Sequence, residues 1–261
     1  MFPVPRITES FMDAVAADVG WHRYLDLHTP RKGRLNADYL APGFVVELKI
    51  IEEEGIGKEQ RQRKLAKLFS SAYPQNSEID IALETTPERI RREVEKIVSG
   101  PIQTAVKKAS QQIRETAEDL SRTTDTSVLL IVNNGFSYLS ADSFEQLVTR
   151  RCANDSTRIA YAFCVTVEYH QGGFDAYVFC TARCHAIRRQ TVPWILQESL
   201  RHAINSRFDK AMSRMMSDQM NPTLWSEKLE PVIDIRFESD GVHYVRKAPE
   251  VPDSRFNQTE I

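Results

Sequence analysis

GFVVELKI, residues 43–50, has the composition of a buried strand with two charges set into it: Phe44, Val45, Val46, Leu48 and Ile50 are apolar, whereas Glu47 and Lys49 are not. Successive side chains of a strand point to opposite faces, so Glu47 and Lys49 share one face, about 6–7 Å apart, and Val46, Leu48 and Ile50 share the other. One face feeds a core; the other presents a carboxylate beside an ammonium. The preceding run RLNADYL, residues 34–40, is also extended in character, and the Ala41-Pro42 break between the two predicts a turn. Antiparallel pairing of the two runs brings Asp38 towards Glu47.

Two carboxylates on adjacent strands suit a hard cation such as Mg²⁺, which keeps several waters and takes only one or two protein carboxylates alongside substrate phosphate. Asp38 and Glu47 are therefore the candidate metal ligands, with the Leu48 main-chain carbonyl as a further one. Lys49 is placed to orient an attacking water or to stabilise charge developing on a phosphate. A plain alternative stands beside this reading. Composition alone yields a Glu-x-Lys triplet about once in a chain of this length, and Glu47 with Lys49 can be an ion pair on a half-buried sheet.

ADYL followed nine residues after its Asp by ELK resembles the PD-(D/E)xK, or restriction-endonuclease-like, nuclease superfamily. The resemblance implies that Asp38 and Glu47 hold Mg²⁺ or Mn²⁺ and that Lys49 is catalytic. It also implies a fold of helix, three strands, helix and fourth strand. Ala37 stands where many members have Pro. Several relatives add an acid from the first helix; Glu9 and Asp13, one turn apart, are the candidates, and Glu9 is favoured. The resemblance covers roughly the first half of the chain, with a helical insertion between the third and fourth strands that is longer than the minimum.

The rest of the pattern fits a mixed α/β protein. Ile7, Phe11, Met12, Val15 and Val19 recur at helical spacing. Residues 58–71, 87–98 and 102–120 read as helices, IDIAL (79–83) as a strand or linker, and TSVLLIVNN (126–134) as a strand buried on both faces. Residues 141–151 read as a helix, and RIAYAFCVTVEY and FDAYVFCTA as a hairpin joined through HQGG. A long helix is expected over about 192–217, followed by the strand pair VIDIRFE and VHYVRK. The expected organisation is a restriction-endonuclease-like core over residues 1–190, with a mixed central sheet flanked by helices. A C-terminal helix and β-hairpin extension over 191–261 is expected to pack on it.

The chain has 261 residues and a formal net charge of -2, so an anionic partner must be held by a local patch rather than by the total field. The four cysteines, Cys152, Cys164, Cys180 and Cys184, are too few for a disulfide framework. No 18-residue uncharged apolar stretch occurs, and the N-terminus lacks the pattern of a signal peptide. A cytoplasmic protein without a membrane partner is expected. CTARCH places Cys180, Cys184 and His185 close together, but their spacing is poor for a closed zinc site. A basic region from Arg183 through Arg188, Arg189, Arg201, Arg207 and Lys210 to Arg214 is either a contact for DNA, with Arg188 and Arg189 the residues to test, or a solvated surface. Met212, Met215, Met216 and Met220 mark an adaptable apolar surface that either packs internally or meets a homodimer or another protein partner. The expected function is metal-dependent hydrolysis of phosphodiester bonds, most naturally in DNA, in host defence, repair or mobile-element biology. The alternatives are a catalytically inactive nucleic-acid-binding subunit of the same fold and a protein-interaction module built on the Met-bearing helix.

Overall fold

The structure is a computed structural model that describes residues 4–53, 55–122, 125–134, 138–172, 175–189, 191–217, 228–229 and 235–247. In chain order its elements are β1 (Val4–Pro5), α1 (Glu9–Asp18), β2 (His22–Arg23), α2 (Tyr24–Leu27), β3 (Tyr39–Ala41) and β4 (Phe44–Ile51). They continue with α3 (Glu59–Ala72), β5 (Glu78–Asp80), α4 (Glu88–Val98), α5 (Gly100–Asp119), β6 (Thr126–Asn133) and α6 (Ala141–Asp155). The hairpin β7 (Tyr161–Gly172) and β8 (Asp175–Ala186) precedes a π-helical turn, Ile195–Ser199, that runs into α7 (Leu200–Ser217). The last strands are β9 (Lys228–Leu229), β10 (Ile235–Ser239) and β11 (Val242–Arg246).

A mixed sheet of six strands, in the order β2-β3-β4-β6-β7-β8, forms the middle layer. The inner neighbours β4, β6 and β7 run parallel, and the flanking pairs are antiparallel. Both faces are covered, which explains the unbroken apolar run of β6. Leu129 and Ile131 enter a core with Leu65, Phe69, Val106, Ile113 and Phe144 from the helices α3, α5 and α6. Val128, Leu130 and Val132 enter the opposite core with Met12 and Val15 of α1 and Leu200, Ile204 and Phe208 of α7. The helices begin where the sequence supplies partners for free N–H groups. Thr8 caps α1 by accepting from Phe11 N at 3.2 Å, and Ser140 caps α6 by accepting from Ser143 N at 3.3 Å.

The turn between β3 and β4 sets the register of everything that follows. Ala41 pairs with Phe44, so Pro42 and Gly43 alone make the loop, and Gly43 has a φ of +77°. Proline followed by a residue with positive φ is the combination a type II turn requires.

The C-terminal segment is woven into the earlier chain. β11 lies parallel to β5 and antiparallel to β10, making a second sheet of three strands, so of the run 79–83, read as strand or linker, only residues 79 and 80 lie in a strand. Tyr244 of β11 is 1% exposed and bonds through its hydroxyl to Ser70 of α3 at 2.5 Å. β1 pairs with β9. The expected partition at residue 190 is thus bridged by strand pairing in two places. The long C-terminal helix also begins later than expected, because its first turn is π-helical, a feature without a side-chain signature in the sequence.

Candidate active site

β3 pairs with β4 only over three residues, ending at Tyr39 opposite Val46. Carrying that register one step further sets Asp38 directly across from Glu47, where antiparallel neighbours hold their Cβ atoms about 4.5–5.5 Å apart. The ladder stops there, and the side chain takes over from the backbone: Asp38 Oδ2 accepts the Leu48 N–H at 2.8 Å. A strand residue's N–H and C=O leave by the same edge, so the Leu48 carbonyl faces this side too. Lys49 Nζ donates to it at 3.2 Å and makes an ion pair with Glu47 Oε1.

Glu47 is 0% exposed, and its second oxygen, Oε2, is buried with no hydrogen-bond partner. Burial, and then the negative charge of Asp38 beside it, push the Glu47 carboxyl up to about 8 despite the Lys49 ammonium. Burial also raises the Asp38 carboxyl above its ordinary range, with the Leu48 N–H and Lys49 acting against it. Two acids thus face one ammonium in a poorly solvated place. A carboxylate oxygen left unpaired there is costly, and a divalent cation is the kind of ligand that satisfies it. Asp38, Glu47 and the Leu48 carbonyl fit Mg²⁺ or Mn²⁺ in number and hardness. Among the described residues no group of three or more His, Cys, Asp or Glu side chains is gathered for a metal, so any cation here relies on two acids and on waters.

Leu48 and Lys49 also line an open cleft of about 430 Å³, whose other wall carries Arg6, Thr8, Glu9 and Glu52. Arg6 and Glu52 form an ion pair across it. Glu9 is near enough that its charge contributes to the rise at Asp38, yet its side chain is 73% exposed and lies 3.7 Å from Arg23. Asp13, the other first-helix acid, accepts from the buried Tyr39 hydroxyl at 2.8 Å and pairs with Arg23 at 3.1 Å. Asp13 is therefore engaged in holding α1 to β2 and β3, and Glu9 is the acid at the cleft.

Compared with protein-family models, curated proteins and solved structures, the chain matches none. The geometry alone therefore carries the functional reading.

The other expected sites fare differently. Arg188 donates to the carbonyls of Ala153, at 3.0 Å, and Ser156, which fastens it to the end of α6; Arg189 is exposed. Arg201 pairs with Glu198 at 2.6 Å, and Arg207 grips Asp18 through two bonds of 2.5 and 2.7 Å. Strand alternation separates the CTARCH residues: Cys180 and Cys184 pack on the α7 side, while His185 bonds Glu145 of α6 at 2.9 Å. Met212 packs against the α7-side core, and Met220 lies outside the described residues.

Two participants in the site were invisible in the sequence pattern, and a buried acid away from it was nearly so. Arg6 and Arg23 meet the site through contacts far along the chain or between elements, and spacing carries no sign of them. Glu145 left a faint one, an acid beside Phe144, Leu147 and Val148 on the apolar stripe of α6. No helix is long and apolar enough to cross a membrane among the described residues.

Proposed function

We propose that the protein is a metal-dependent phosphodiesterase acting on nucleic acid, most naturally DNA, with a restriction-endonuclease-like arrangement of its central sheet. The observation that carries the reading is the Asp38–Glu47 pair, set across the frayed end of β3 with a fully buried, half-partnered Glu47 and Lys49 at the adjoining cleft. The order of α1, β2–β4, intervening helices and β6 is similar to the helix, three strands, helix and strand of that superfamily. Asp38 and Glu47, with the Leu48 carbonyl, would hold Mg²⁺ or Mn²⁺, which supplies Lewis acidity towards a water and a phosphate oxygen.

The chain's own groups do the rest. Asp38 keeps its position through the Leu48 N–H, so its second oxygen is aimed rather than mobile. Burial of Glu47 removes competing water and strengthens every charge interaction around it. Lys49 reaches both the Glu47 carboxylate and the cleft, a location from which its ammonium can neutralise charge developing on the scissile phosphate or orient the water. Glu9, across the cleft, can accept a proton or a water hydrogen bond on the opposite side.

Incubation of plasmid, linear duplex and single-stranded DNA with Mg²⁺ or Mn²⁺ tests this directly. The wild type should cleave at least one substrate. Asp38→Asn, Glu47→Gln and Lys49→Ala should each lose on the order of 10²–10³-fold in rate, and calorimetric Mn²⁺ binding should disappear in Glu47→Gln with the fold intact. Mn²⁺ binding unchanged in that variant would remove the reading.

A further inference from the structure

We propose that the groove between α3 and α4 holds the phosphodiester backbone of a nucleic acid that enters the cleft lined by Lys49 and Glu9; this rests on the nuclease reading above. The groove is about 660 Å³ and is lined by Arg61, Lys64 and Lys67 of α3 and by Lys96 and Glu93 of α4 over an apolar floor of Leu68 and Ile97. Four cations face one carboxylate there, in a chain whose formal net charge is -2. The excess is local, and it is what a polyanion needs from a protein that is not itself a polycation.

Two features separate this groove from an ordinary solvated helix face. First, the neighbouring cations are compensated, while three of these four are not. Arg63 pairs with Glu59, Arg91 and Arg92 with Glu88, and Arg150 with Glu95. Lys96 is held by Glu93 at 2.6 Å. Lys64 and Lys67 have no ion pair among the described residues, and Arg61 Nη1 is buried without a hydrogen-bond partner. Second, the cations form a line. Residues 61, 64 and 67 fall on one side of an α-helix, and the rise from Arg61 to Lys67 is about 9 Å, the length of about two to three nucleotides of one strand.

The groove also starts beside the cleft. The Arg61 guanidinium packs so closely on Gly55 that a Cβ at that position would lie 2.7 Å from Nη1. Gly55 is three residues beyond Glu52, which forms part of the cleft wall, and three residues span about 10 Å at most. The Arg61 end of the groove therefore lies within about that reach of the cleft wall. An acidic peptide is the competing occupant. The repeated single charges of a phosphodiester chain match the line of cations better than clustered side-chain acids do.

The test is equilibrium anisotropy of the full chain with a 5′-labelled 20-base-pair duplex and the matching single strand, in Ca²⁺ to permit binding without turnover, over a series of KCl concentrations. Lys64→Glu/Lys67→Glu should raise the Kd at least about 10-fold and lower the slope of log K against log salt by about 2, one for each phosphate no longer neutralised. Lys107→Glu/Lys108→Glu, on exposed positions of α5, makes the same change in net charge and should alter the Kd less than about 3-fold. Equal effects of the two pairs, or no effect of the first, overturn the proposal. So does competition by polyglutamate without binding of duplex or single strand. Binding that depends on Lys64 and Lys67 in a wild type that never cleaves sinks the nuclease reading and leaves the groove standing. Cleavage by a wild type whose binding ignores both residues does the reverse.

Discussion

Two buried glutamates on opposite sides of β6 make an instructive pair. Glu47 is 0% exposed in β4, and Glu145 is 4% exposed on α6; each has one oxygen without a hydrogen-bond partner. Glu145 is met by two cationic or protonatable groups, His185 Nε2 at 2.9 Å and Arg183 Nη1 at 3.4 Å, the latter also tied to Asp142 at 2.6 Å. Glu47 is met by one ammonium and by a second carboxylate. Burial is common to both, so the difference lies in the sign of the neighbours. At Glu145 the neighbours offset the loss of solvation, and the result ties a sheet to a helix. At Glu47 the neighbour Asp38 adds to the loss, which leaves a place where an added positive charge lowers the energy.

The largest expected separation between them is in activity. Glu47→Gln should slow divalent-dependent cleavage on the order of 10²–10³-fold, as above, while Glu145→Gln, remote from the cleft, should keep the rate within about 3-fold of wild type. Equal loss in both would mean that the contrast of neighbours has no functional content.

Stability should separate them in the opposite sense. Glu145→Gln leaves His185 without its carboxylate and Arg183 with Asp142 alone, and should cost about 2 kcal/mol, lowering Tm by several degrees. Glu47→Gln removes a carboxyl whose charged form burial and then Asp38 disfavour, and should raise the metal-free Tm at neutral pH by a few degrees. Differential scanning calorimetry in EDTA reads both, and a fall in Tm for both variants breaks the comparison.

The pH dependence follows from the same carboxyl. Glu47 has a folded pKa raised from 4.5 to about 8, so between those values the folded chain binds the proton more tightly than the unfolded one. Stability from this group is therefore greatest below about pH 4.5 and is lost as pH rises towards 8. The fall in metal-free Tm between pH 5.5 and 8.5 should be larger for wild type than for Glu47→Gln, and Mn²⁺ at pH 8.5 should restore part of it in wild type alone. Smallest is Tyr39→Phe. It removes the 2.8 Å bond to Asp13 and should cost about 1 kcal/mol by urea denaturation, with Mn²⁺ affinity unchanged, because that bond fixes α1 rather than the ligands.

These contrasts also mark what a reader of the sequence can reach. The run from Phe44 to Ile50 announces a strand by its period of two, and SVLLIV announces one covered on both faces because no polar residue interrupts it. The approach of Asp38 to Glu47 was legible too, since a short loop with Pro42 and Gly43 leaves few ways to pair the flanking runs. The helices α3, α4 and α5 were separable because Pro74, Pro87 and the Gly100-Pro101 pair punctuate the chain. Local signals end there. The parallel docking of β11 on β5 joins residues more than 160 apart, and nothing in either three-to-five-residue strand names the other. The use of Arg188 as a clamp on α6 was hidden for a related reason, since a guanidinium that bonds carbonyls and one that waits for phosphate have the same letter. Glu9 was separable from Asp13 only once Tyr39 was seen to bond the latter.

The two-residue loop at Pro42 and Gly43 gives the architecture an unusual point of leverage. Adding one amino acid to that loop while the strands keep pairing would change no acid and no lysine, yet it would seat Tyr39 or Ala37 opposite Glu47 and turn Asp38 out of alignment. Such an insertion should fold, lose its grip on Mn²⁺, and regain it when a compensating residue is deleted from β3, so spacing itself can be titrated as if it were a catalytic group.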